Sequence, residues 1–113
     1  MKSQTEDAEM MLNGRVAIIT GAGGGLGRSH ALQLAKLGAK VVVNDMNAAA
    51  AEAVAAEIGE AGGEAIGFAA SVTDEARIGD MVAATMQAWG RVDILVNNAG
   101  ILRDRSFAKM TIA

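Results

Sequence analysis

The sequence predicts an α/β fold on a parallel sheet, and three observations carry the prediction. Four short apolar runs alternate with three stretches of helical periodicity. A glycine-rich turn, T-G-A-G-G-G-L-G at 20–27, joins the first apolar run to the first helical stretch. The chain is 51% apolar and rich in alanine and glycine, which suits helices packed closely on a sheet. Strands joined by helical crossovers pair in parallel, because right-handed βαβ units build little else.

The first strand is expected over 16–20, where Val16, Ala17, Ile18 and Ile19 run without a polar break. The first helix is expected over 26–37, with Gly38 as its left-handed stop. A second strand over 40–44 leads to a helix over 47–61. There the alanines of 48–51, with Val54, Ala55 and Ile58, make a small-residue face for the sheet. Gly62 and Gly63 end that helix, and a third strand is expected over 64–69. The helix over 74–89 has the clearest period, with Ile78, Met81, Val82, Thr85, Met86 and Trp89 on one face. Ser71 or Thr73 is expected to cap its start, Gly90 to end it, and 93–96 to form the fourth strand.

With 113 residues the chain makes one domain at most. A net charge of −3 argues against a nucleic-acid or anionic-membrane surface. There is no cysteine and one histidine, His30, so no thiolate or polyhistidine metal site is expected. No apolar run approaches the roughly 20 residues that span a bilayer. Residues 1–13 are polar and lack a secretory pattern, so a disordered tail and a cytoplasmic location are expected.

The glycine turn suits a dinucleotide pyrophosphate. Its first glycine permits a tight turn, the next admits the phosphates, and the last lets helix and strand pack closely. The helix N-terminus adds N–H donors and partial positive charge. No Gly-Lys-Ser/Thr follows, which excludes a P-loop phosphotransferase. Asp45 directly follows the second strand, 24 residues beyond Gly21. A carboxylate there accepts from an adenosine ribose and repels a 2′-phosphate, and neither Gly24 nor Met46 offers a cation. NAD is therefore expected over NADP, although Asp45 would also suit a turn into the next helix. Asn97, Asn98, Ala99 and Gly100 follow the fourth strand, placing two amides where a sheet end meets a ligand.

Together these motifs resemble the short-chain dehydrogenase/reductase family. Thr20, Gly21, Gly25 and Gly27 match its T-G-x-x-x-G-x-G, and residues 97–100 match its N-N-A-G. The resemblance covers 13–113 and implies a Rossmann-like sheet of strand order 3-2-1-4 over 14–113. More narrowly, V-V-V-N-D at 41–45 and N-N-A-G-I-L-R-D-R-S-F at 97–107 look like the dehydrogenase part of multifunctional β-oxidation enzymes, which oxidise 3-hydroxyacyl-CoA with NAD. The resemblance implies that Gly21, Ala22, Gly23, Gly24, Gly25, Leu26 and Gly27 line the pyrophosphate and the nicotinamide-side ribose. Ser71 and Val72 would flank the adenine, with Ser71 in place of the usual aspartate. Asn98, with Ala99 and Gly100, would line the adenosine-side ribose.

The family's general acid/base is a tyrosine, served by a lysine four residues on, a serine and a helical asparagine. None can be placed here, and the chain has no tyrosine. The expectation is the amino-terminal half of a dehydrogenase, without catalysis of its own. A non-catalytic nucleotide-binding module and a structural partner completed by another chain are the alternatives; a methyltransferase suits the Asn-Asn-Ala-Gly segment poorly. His30 is expected as an ordinary helical residue. Arg103, Asp104 and Arg105 are expected as either a solvated cluster or a substrate contact. A sheet face covered by only one helix, beside an open fourth-strand edge, is expected to favour self-association and marginal stability.

Overall fold

The structure, a computed structural model, describes residues 11–98. Seven elements follow in order: β1 (Val16–Ile19), α1 (Gly25–Lys36), β2 (Lys40–Asp45), α2 (Ala48–Glu60), β3 (Ala65–Ala69), α3 (Glu75–Trp89) and β4 (Ile94–Val96). All three strand pairings are parallel, in the order β3-β2-β1-β4. Crossover helices between neighbouring parallel strands impose this arrangement.

The two sheet faces have separate cores. Ala17, Ile19, Val41 and Val43 pack under α1 and α2 against Ala31, Ala51, Val54 and Ile58. Ile18 and Val42 point the other way, onto Ile78, Met81 and Val82 of α3. Alternate strand residues serve opposite faces, so a fully buried central strand must be apolar throughout. The alanine face of α2 lies on the sheet as expected, with Ala51, Val54, Ala55 and Ile58 buried. Gly38, Gly62 and Gly90 end their helices with φ of 105°, 95° and 76°.

Every element departs from its expected bounds by about one residue at one end or both, and several of the differences at element ends have a visible cause. The cap of α3 is Asp74, whose carboxylate accepts from Arg77 N–H at 3.1 Å. Ser71 Oγ instead accepts from Thr73 N–H at 3.2 Å and pairs with Thr73 Oγ1, closing a turn before the helix. Strand β2 runs one residue further, to Asp45, because Ala70 N–H donates to Asp45 O and continues its pairing. Asp93 precedes β4 rather than starting it, and its carboxylate accepts from Val16 N–H at 2.9 Å. Residues 11–14, most of them assigned to the tail, form a turn anchored by Leu12 N–H donating to Leu37 O at 2.8 Å.

Candidate dinucleotide-binding site

Every strand contributes to one edge of the sheet, its carboxyl end. After β1 the chain turns through Gly21 and Gly25, with φ of 61° and 55°. Side chains are disfavoured in that backbone region, so glycine supplies the turn without strain. Gly27 is buried on α1, and a Cβ built there would lie 2.2 Å from Gly21 O. Helix α1 can approach β1 this closely only with hydrogen at that position. A Cβ at Gly23 would lie 2.7 Å from Ala50 Cβ and 2.8 Å from Asp45 Cγ.

The acidic group is held by that loop. Gly23 N–H donates to Asp45 Oδ2 at 2.9 Å, and Asn47 N–H donates to Oδ1 at 3.0 Å. Each carboxylate oxygen keeps a further lone pair for a ligand hydroxyl. Leu26, in the first turn of α1, and Met46, next to Asp45 in the chain, are both large apolar residues left exposed, at 71% and 76%. Such residues at a sheet end suit contact with a ligand rather than with the core.

The three helix starts differ. Asn47 caps α2 through Ala50 N–H, and Asp74 caps α3. Helix α1 has Gly24 at its N-cap position, so it has no side-chain cap, and no acidic residue lies in its first turn. Its leading N–H groups are therefore presented to an anion, where dipole and donors act together. A pyrophosphate fits this cradle: bare glycine backbone, an uncapped helix start and no competing carboxylate in the first turn.

The two motifs expected to form one site do meet. Asn98 Nδ2 donates to Gly21 O at 3.1 Å, and Thr20 Oγ1 donates to Asn97 Oδ1 at 3.3 Å. The amides after β4 thus hold the glycine turn after β1, a neighbour that only the strand order supplies. Ser71 and Val72 follow β3 at the same edge. Ser71 is partly exposed, and Val72 packs into the α3-side core at 8% exposure. Ala99, Gly100, Arg103, Asp104 and Arg105 lie outside the described residues.

Residues 15–113 match the family model described as short chain dehydrogenase. The chain belongs to the short-chain dehydrogenase family. It is 50% identical over 114 residues to the Drosophila melanogaster peroxisomal multifunctional enzyme type 2, covering 93% of this chain and 19% of that protein. It is also 50% identical over 106 residues to the Saccharomyces cerevisiae peroxisomal hydratase-dehydrogenase-epimerase, covering 86% of this chain and 12% of that one. Among solved structures, a metagenomic short-chain oxidoreductase in complex with NADP superposes with a TM-score of 0.74 at 41% identity, over 80% of this chain and 41% of that chain. The chain thus spans less than half the length of each relative.

Within this member of the short-chain dehydrogenase family the other candidates take ordinary places. His30 is exposed on α1. No group of three metal-ligating side chains occurs among the described residues. No helix among them is long and apolar enough to cross a membrane. A cavity of about 620 Å³ between α1 and α2 is lined by Leu32, Ala35, Lys36, Ile58 and Gly63 among others, and none of the site residues borders it.

Sequence reasoning missed Asn44 and Arg28. Arg28 is paired with Glu57 across α1 and α2, so the first basic residue of α1 is already engaged. By sequence Asn44 is an ordinary strand residue. Its one sequence signal is polarity, at a position that strand alternation turns into the core.

Proposed function

We propose that this chain forms the NAD-binding part of a short-chain dehydrogenase whose reaction moves hydride between NAD and a secondary alcohol or ketone. A 3-hydroxyacyl thioester is proposed as its small-molecule substrate, on the resemblance of residues 41–45 and 97–107 to the dehydrogenase part of multifunctional β-oxidation enzymes. The observation that carries the cofactor choice is Asp45, anchored by Gly23 N–H beside the uncapped start of α1. NAD, when bound, supplies the hydride acceptor. The chain's part is to bind and orient it. The leading N–H groups of α1 meet the pyrophosphate, Asp45 accepts from the ribose hydroxyls, and its negative charge disfavours a 2′-phosphate.

Calorimetric titration with NAD and NADP tests the reading. Hydrogen bonds to a charged group contribute about 1.5–3 kcal/mol, so Asp45→Ala is expected to weaken NAD binding roughly 10–100-fold. Asp45→Asn, which keeps an acceptor for Gly23 N–H, should narrow the preference for NAD over NADP. Equal affinity of the wild-type chain for both nucleotides would overturn the preference.

Self-association through the α3-side face is a further part of the proposal, supported by Leu95 at 36% exposure on β4. Cytoplasmic residence is proposed as well. Both relatives have "peroxisomal" in their names, and recovery of the chain in a peroxisomal fraction would overturn it.

A further inference from the structure

Asn44 is 1% exposed and sits at the end of β2, immediately before Asp45. Its side-chain amide donates twice, from Nδ2 to Phe68 O at 3.0 Å and to Ala70 O at 3.2 Å. Both neighbours are acceptors, which settles which end of the amide faces them. Its main-chain carbonyl accepts from Ala22 N–H at 2.7 Å. One residue thus grips the glycine turn with its backbone and the turn after β3 with its side chain. The Asp45 carbonyl adds a third tie, accepting from Ala70 N–H at 3.1 Å.

The other end of the amide shows what this arrangement costs. Asn44 Oδ1 is buried without a hydrogen-bond partner among the described residues. A buried acceptor left unpaired is unfavourable, and an aliphatic side chain would avoid that penalty. An aliphatic residue would also leave the Ala70 carbonyl without its donor. The fold therefore carries a half-satisfied amide where its only completed bonds fix the turn leading to Ser71 and Val72.

We propose that Asn44 is a positioning residue for the adenosine half of the site, setting the Ala70–Ser71–Val72 turn against Asp45 and the glycine turn. The proposal rests on the reading of this edge as the NAD site. Asn44 acts through Ala70, and its own side chain is too deeply buried to touch the nucleotide.

ADP-ribose probes the adenosine half, and inorganic pyrophosphate probes the glycine turn alone. In Asn44→Leu, which keeps the branching and heavy-atom count, though in a larger side chain, and removes both donors, ADP-ribose affinity is expected to fall roughly tenfold while pyrophosphate affinity stays at the wild-type value. Asn44→Asp is the second variant. Burial raises the pKa of the new carboxyl, so its protonated form regains one donor and its ionised form faces two carbonyl oxygens. ADP-ribose binding by that variant should therefore recover as pH falls, whereas wild-type binding should not. Amide exchange without ligand gives a third readout, with faster exchange expected at Ala70 N–H in Asn44→Leu.

Wild-type affinity for ADP-ribose in Asn44→Leu, equal losses for both probes, or unchanged Ala70 exchange would each overturn the positioning role. Failure of the wild-type chain to bind ADP-ribose would overturn the cofactor reading itself, and the positioning role with it.

Discussion

A methyl group at position 27 would place its carbon 2.2 Å from the Gly21 carbonyl oxygen, well inside van der Waals contact. Helix propensity favours alanine over glycine by about 1 kcal/mol, but overpacking a tight contact costs about 1–3 kcal/mol or more. Sterics win, so Gly27→Ala is expected to lower stability in denaturant titrations and to displace α1 from Gly21. Asp93 gives the second prediction at this scale. Its hydrogen bonds with Arg91 at 2.6 and 2.7 Å, then Val16 N–H, hold its carboxyl below the usual 3.8, at about 2. A carboxyl depressed in the folded state stabilises fully above its unfolded pKa and loses that contribution as pH falls through the folded one. Stability should therefore drop between about pH 4 and pH 2. Asp93→Asn should flatten that part of the profile, as thermal melts across pH would show.

The helix starts show how an element can be left unfinished for a ligand. Asn47 and Asp74 complete α2 and α3, yet α1 follows Gly24, which offers its first turn no side-chain cap. Gly24 has an extended backbone at φ −175°, and a Cβ there would meet nothing within 4 Å. The position thus tolerates a capping side chain. Gly24→Asp is expected to stabilise the chain by a few tenths to about 1 kcal/mol through the cap and the helix dipole. The same carboxylate occupies the anion's place, so NAD binding should weaken. A higher melting temperature together with a larger Kd is the expected pair of results. Tighter NAD binding would refute the assignment of this helix start to the pyrophosphate.

On the scale of the molecule, the described residues cover the sheet's two faces unequally. Among them two helices lie over one face and α3 over the other, and Leu95 on β4 shares the α3 face with Ile18. Among the described residues β4 pairs only with β1, leaving a strand edge. Exposed apolar surface beside an unpaired edge favours association, and charge at such a position opposes it. Leu95→Lys is expected to shift the chain toward monomer in sedimentation velocity. An unchanged distribution would remove this face from the proposed association.

Much of this was readable from local chemistry. The run Val16-Ala17-Ile18-Ile19, the helical period of Ile78, Met81, Val82 and Thr85, and the glycines after each helix determined the elements, because apolar spacing and backbone permissiveness act over a few residues. The strand order and the gathering of Gly21, Asp45 and Asn98 at one edge followed from motif resemblance. The sequence offers Ser71 or Thr73 as the cap of α3 because hydroxyls and carboxylates compete for the same N–H groups, and only the turn geometry decides for Asp74. Tertiary structure alone decided what depends on neighbours distant in sequence. The Asn98 amide lies on a carbonyl 77 residues away, and Asp93 on the N–H of Val16. Asn44, one polar letter in an apolar strand, became a junction between two turns because parallel pairing set Phe68 beside it. Sequence specifies which groups can donate and accept; the fold specifies which of them meet.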